Sequence, residues 1–182
     1  MTEERGFTMD EIMARRFPVL PADIAVALDQ ISPSDDGGVL YYPCSVRMKD
    51  GIEFPHVYFV EARSWLVAWA PLPDRSLDKN HLDVRHVAEV QECPDRLPPA
   101  FANRLYEAGE SGMGYTIFTL RFSDGSRAVY SSGNVVDFVI YPDGKSAADV
   151  IDVIPHEGKE DSNMRLAPVH RWCIFELPEM VS

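Results

Sequence analysis

Ser45-Val46-Arg47-Met48-Lys49-Asp50-Gly51 and Thr119-Leu120-Arg121-Phe122-Ser123-Asp124-Gly125 share one pattern: small hydroxyl, apolar, arginine, apolar, polar, Asp-Gly. Alternation with a period of two marks each as a strand with apolar side chains on one face and the arginine on the other. Asp-Gly suits a tight turn with positive φ, so each stretch reads as the first arm of a β-hairpin. Val46 and Met48, and likewise Leu120 and Phe122, are expected to face one core. Arg47 and Arg121 then turn to solvent or to a carboxylate, because a slip of one residue would bury the charge.

Around the first hairpin the pattern predicts strands over 39–48, 52–60 and 64–70. The third is apolar on both faces, with Trp65, Val67 and Trp69 on one and Leu66, Ala68 and Ala70 on the other, as in a central covered strand. Its tryptophans read as core packing, with an aromatic sugar-binding face as the alternative. Val84, His86, Ala88 and Val90 alternate as a fourth strand, although Val84, Val87 and Ala88 also suit a helix face. Two helices precede the sheet. One opens on the capping box Thr8-Met9-Asp10-Glu11 and carries Ile12 and Met13; the other follows Pro21 with Ile24, Ala27, Leu28 and Ile31. The acidic turn Asp35-Asp36-Gly37-Gly38 comes next.

A central helix starts at Pro98-Pro99 and buries Phe101, Leu105 and Ala108, with Gly109 placed to cap it in the left-handed conformation. Strands are predicted over 114–122, 127–131 and 135–141, with a short one through Val150, Asp152 and Ile154 and an edge strand from Arg171 to Leu177. The expected class is α+β, mainly antiparallel β-sheet built from two similar hairpin units, with two N-terminal helices and one central helix. One globular domain spans 1–182, with related units near 39–92 and 113–156, and with 1–8 and 157–168 flexible.

The chain has 182 residues, 46% of them apolar, and a formal charge of −12. Such a surface repels phosphate backbones, and Arg15-Arg16 is only a pair, so nucleic acid and anionic membranes are not expected ligands. A basic protein partner is. Cys44, Cys93 and Cys173 form no disulfide framework, and no apolar run is long enough to span a bilayer. Met1-Thr2-Glu3-Glu4 is no secretory signal, so a reducing, cytoplasmic setting is expected.

Chemistry-bearing residues are few. The loop Gly109-Glu110-Ser111-Gly112-Met113-Gly114 leaves a helix C-terminus for a strand, the wrong polarity for a phosphate cradle. Ser111, Asp137, His156 and Glu157 are the candidate hydrolytic group, with Tyr115, Asn134, Arg47 and Arg121 as candidate ligand contacts. His156, His170 and Cys173 are the candidate metal donors, but one close-spaced pair is no closed zinc pattern, so no cofactor is expected. The leading expectation is a non-catalytic acidic interaction domain that binds or neutralises a basic protein, of the inhibitor, immunity or adaptor type. The alternatives are a small hydrolase or metal-assisted enzyme at the residues named, and a β-domain that binds a small ligand between its hairpins.

Overall fold

Gly51 and Gly125 hold φ of 89° and 86°, a region open to glycine and strained for other residues. The chain reverses at both in the same way. The Gly51 amide donates to Met48 O and the Gly125 amide to Phe122 O, each at 2.9 Å. Met48 N–H then donates to Ile52 O at 2.8 Å and Phe122 N–H to Ser126 O at 3.0 Å. These turns join β2 (Val39–Met48) to β3 (Glu53–Glu61) and β5 (Thr116–Phe122) to β6 (Arg127–Ser132). The computed structural model describes residues 17–69 and 80–178. The capping box at Thr8, Met9, Ile12, Met13, Ala70 and the loop 71–79 lie outside them.

The described residues form an α+β fold with two mixed, mostly antiparallel sheets. In the first, β1 (Ser34–Asp36), β2, β3 and β9 (Arg171–Phe175) lie side by side, and β4 (Val87–Gln91) pairs with the second half of β2. In the second the order is β7 (Val150–Pro155), β5, β6 and β8 (Arg165–Leu166). Arg47 faces Glu89 across β2 and β4, and Arg121 faces Asp152 across β5 and β7; a register shift follows each arginine. Each arginine forms an ion pair with the carboxylate opposite, at 3.7 Å for Arg121. A 3-10 turn precedes β4 at Val84–His86 and another precedes β7 at Ala147–Asp149. β3 and β9, like β6 and β8, run parallel, which the hairpin pattern alone does not foresee.

Among the described residues three helices cover the sheets: α1 (Ala22–Leu28), α2 (Ala62–Trp69) and α3 (Pro99–Ala108). α2 corrects the strand expected over 64–70. A short apolar run fits either period, and here Ala62, Trp65 and Leu66 are buried at helical spacing while Val67 is 63% exposed. Glu61 sets the start, accepting the Arg63 and Ser64 amides at 2.9 and 2.8 Å. The segment 135–141 is also corrected: it joins no strand ladder and carries only the isolated bridge of Phe138 to Arg96. In α3, Ala102 and Leu105 are the buried residues and Ala108 is exposed, while Gly109 ends the helix at φ 76°, ψ −174°, extended rather than left-handed helical.

The core has three parts. α1 packs with Cys44, Val46, Met48, Val57 and Phe59 on one face of the first sheet. Tyr41, Tyr58, Val60, Trp172 and α2 pack on the other face. Leu120, Phe122, Phe118 and Tyr130 meet α3 over the second sheet. Val46 and Leu120 therefore serve different clusters, not one core. The segment 135–139 joins two of them, since Val135 and Phe138 enter the tyrosine-rich cluster while Val136 and Val139 enter the cluster under α3. 

Two glycines give a graded test of this backbone. At Gly51 an added Cβ meets nothing within 4 Å, whereas at Gly158, φ 103°, it would lie 2.5 Å from Val129 Cγ1. Gly51→Ala should cost about 1–2 kcal/mol from backbone strain, and Gly158→Ala roughly 3 kcal/mol, because overpacking is added. Urea denaturation of both variants gives the comparison; equal losses would contradict the packing at Gly158.

Candidate functional site

Between the two sheets lies one carboxylate with no access to solvent. Asp137 is 0% exposed, flanked by Val135, Val136, Phe138 and Val139. A buried carboxylate needs donors, and two elements supply them. Ser34, on β1, donates to Oδ1, and Tyr106, on α3, donates to Oδ2 at 2.5 Å. The Asp137 amide donates to the hydroxyl of Tyr58, on β3, at 3.1 Å, and Leu97 N–H donates to the Asp137 carbonyl at 2.7 Å. The Arg96 guanidinium stands nearby, bonded to Ser32 O and 3.4 Å from Ser34 Oγ. Burial pushes the Asp137 carboxyl above its ordinary value, outweighing the bonds from Ser34 and Tyr106 and the Arg96 charge. Burial, reinforced by the Asp137 charge, likewise pushes Tyr58 and Tyr106 well up.

Aromatic rings extend this centre. Tyr58 stacks on Trp172 at 5.1 Å, Tyr41 meets the edges of Tyr58 and Trp172, and Trp69 donates its indole N–H to the Tyr41 hydroxyl at 2.9 Å. Trp65 is buried in the same cluster, so core packing accounts for it. On the Tyr41–Trp69 side opens a cavity of about 260 Å³. Its walls include Tyr41, Trp69 and Tyr106, and its polar groups include Asp36, Glu110 and Asn134; among the described residues no lysine, arginine or histidine lines it. Burial raises the Asp36 carboxyl, and the charges of Asp35, Asp137 and Glu110 raise it further. Glu110 accepts the Gly114 amide at 3.0 Å, and the Asn134 side-chain nitrogen is oriented toward Glu110 Oε1 at 3.3 Å.

Of the four residues named for hydrolysis, Ser111 and His156 meet. Ser111 Oγ lies 2.8 Å from His156 Nδ1, and His156 Nε2 lies 3.2 Å from Ala108 O. The carbonyl requires a proton on Nε2, so Nδ1 accepts from the serine. Ser111 Oγ also accepts the Ile117 amide at 2.8 Å, and His156 holds φ 61°. A main-chain carbonyl, not a carboxylate, therefore orients the imidazole, and the contact ties the glycine loop to the end of β7. Asp137 belongs to the buried centre instead, and Glu157 pairs with Arg127. Among the ligand candidates Asn134 lines the cavity. Tyr115 lies against Gly112, while Arg47 and Arg121 face Glu89 and Asp152.

His156, His170 and Cys173 do not form a metal group. Cys173 is in the α1 cluster, and His170 packs edge-on against Tyr58 and Trp172. Among the described residues the one group of three donors within 4.8 Å of one another is His56, Cys93 and Asp95. Sequence reasoning passed over those three, along with Asp36, Tyr41, Glu110 and Tyr106. One signal for the buried centre was present: a single aspartate inside Val-Val-Asp-Phe-Val, where an apolar run places a charge that must be paired. No protein-family model, curated protein or solved structure matches this chain.

Burial lowers His170 to about 4, with His56 adding to the effect. A histidine depressed on folding contributes stability above its ordinary 6.5 that is lost as pH falls through 4. Asp137, raised on folding, acts in the opposite sense, so variant and parent must be compared. The unfolding free energy should drop between pH 6.5 and 4 by up to about 3 kcal/mol through His170, and His170→Gln should remove that component. Urea titrations at stepped pH measure it; an unchanged slope in the variant would assign the acid sensitivity elsewhere.

Proposed function

We propose that this chain is a non-catalytic binding domain that takes a cationic group of a basic protein partner into the Asp36–Glu110 cavity. The observation that carries the reading is the composition of that cavity: two carboxylates and three aromatic walls, with no cation among the described residues that line it. A guanidinium or ammonium entering there gains charge-assisted hydrogen bonds at one end and cation–π contact at the other. The formal charge of −12 supports the same reading, since it raises the encounter rate of cationic partners and opposes nucleic acid and anionic membranes. Three free, buried cysteines accord with a reducing, cytoplasmic setting.

The same proposal treats the chain as two copies of one unit: a hairpin closed by Asp-Gly, a returning strand entered by a 3-10 turn, and an arginine paired across it. The support is the matched register, with Arg47 opposite Glu89 and Arg121 opposite Asp152. The cavity then takes Asp36 from the first sheet and Glu110 from the loop that enters the second.

A hydrolytic role is the second reading, favoured by the 2.8 Å contact of Ser111 with His156. Covalent capture of Ser111 by a fluorophosphonate probe would support it.

N-acetyl-arginine amide, with N-acetyl-leucine amide as the neutral control, tests the cation reading through Trp69 fluorescence and the amide shifts of Asp36, Glu110 and Asn134. The arginine probe should bind and the leucine probe should not, and Asp36→Asn with Glu110→Gln should weaken binding at least tenfold, or about 1.4 kcal/mol. Equal binding of the two probes, or no effect of the double substitution, would overturn it.

A further inference from the structure

We propose that His56, Cys93 and Asp95 form a three-ligand site for a divalent metal of the zinc type. Three observations, separate from the cavity, converge on it. The first is the donor set. One nitrogen, one sulfur and one carboxylate oxygen lie within 4.8 Å of one another, a mixture suited to zinc. His56 Nε2 and Asp95 Oδ2 already face each other at 2.8 Å.

The second observation is how His56 comes to be there. β2 and β3 lose register between Cys44 and Val46, so that Ser45 stands opposite both Pro55 and His56. This is a β-bulge, at a proline that has no amide for the ladder. β5 and β6 run through the corresponding stretch without a shift. The first hairpin thus departs from the second where it aims His56 at the turn after β4. Bulges of this kind re-aim a side chain, and they concentrate beside functional sites.

The third observation is that the turn holding the other two donors is braced on both sides. Arg96 N–H donates to Cys93 O at 3.1 Å, closing the turn, and Val139 N–H donates to Asp95 O at 2.9 Å. Cys93 is 6% and His56 9% exposed, while the Asp95 side chain keeps 32% of its surface in solvent. The metal enters and leaves from the Asp95 side. Three protein ligands leave the fourth position to water there. As the Sγ–metal bond forms, the Cys93 thiol gives its proton to solvent, and the proton shared by His56 Nε2 and Asp95 Oδ2 passes through solvent to His56 Nδ1, freeing both atoms for the metal.

The full chain, treated with chelator and dialysed, is titrated with Co²⁺ and then with Zn²⁺ as competitor. One equivalent of Co²⁺ should produce a thiolate charge-transfer band that Zn²⁺ abolishes, and Zn²⁺ should raise the melting temperature. Cys93→Ser should lose the band, and His56→Asn and Asp95→Asn should each weaken binding at least tenfold, whereas His156→Asn should leave it unchanged. Asp95→Asn decides the matter if the buried variants fail to fold, since about a third of the Asp95 side chain is in solvent. The proposal is overturned if the parent shows no thiolate band, or if Asp95→Asn binds as the parent does.

Discussion

A carboxylate removed from water must find donors, and the placement of Asp137 obliges distant segments to supply them. Ser34 reaches it from β1 and Tyr106 from α3, while Tyr58 on β3 accepts its amide. These residues lie 103, 31 and 79 positions away in sequence. Removing any one leaves a buried polar group short of a partner, a penalty larger than the net worth of an ordinary hydrogen bond. This centre does for the joint between the sheets what a ladder does within a sheet. It fixes how Val135 and Phe138 enter one cluster while Val136 and Val139 enter another. The cavity depends on it too, because Tyr106 is at once a donor to Asp137 and a cavity wall.

The hairpins were legible because their signal is local. Asp-Gly imposes its turn wherever it lies, and alternation places Val46, Met48, Leu120 and Phe122 inward by geometry alone. Segment 64–70 was not legible as a helix, since Ser-Trp-Leu-Val-Ala-Trp satisfies both periods; the deciding residue is Glu61, whose side chain caps the first turn from outside the apolar run. The parallel pairing of β9 with β3 joins residues more than a hundred positions apart and leaves no trace in local pattern. The site was legible in pieces. Ser111 and His156 meet, and Asp137 is the central buried acid, but they belong to different places. Asp36, Glu110, Tyr41 and Tyr106 gain meaning only when β1 and α3 come together, where Asp35 N–H donates to Asn103 Oδ1 at 2.9 Å.

The two functional proposals share one physical basis. Where the matched strands follow the same register, the residues are satisfied by their own neighbours, as Arg47 is by Glu89. Where they depart, unspent chemistry collects: a bulge turns His56 toward Cys93 and Asp95, and the meeting of β1 with the glycine loop leaves Asp36 and Glu110 facing a cavity without a cation among the described residues. In the proposed binding the carboxylates are already held in place, so that little ordering would remain when a cation arrives.

The dependence of the fold on one shared centre is open to a double-mutant cycle. Tyr58→Phe and Tyr106→Phe remove hydroxyls that approach Asp137 from different elements, with little change in volume. Each should cost about 1–2 kcal/mol in urea denaturation. Coupling through Asp137 predicts that the double variant departs from the sum of the single losses by more than about 0.5 kcal/mol. Losses that add to within about 0.3 kcal/mol would mean that the two tyrosines act independently, and that Asp137 is not the joint on which the structure turns.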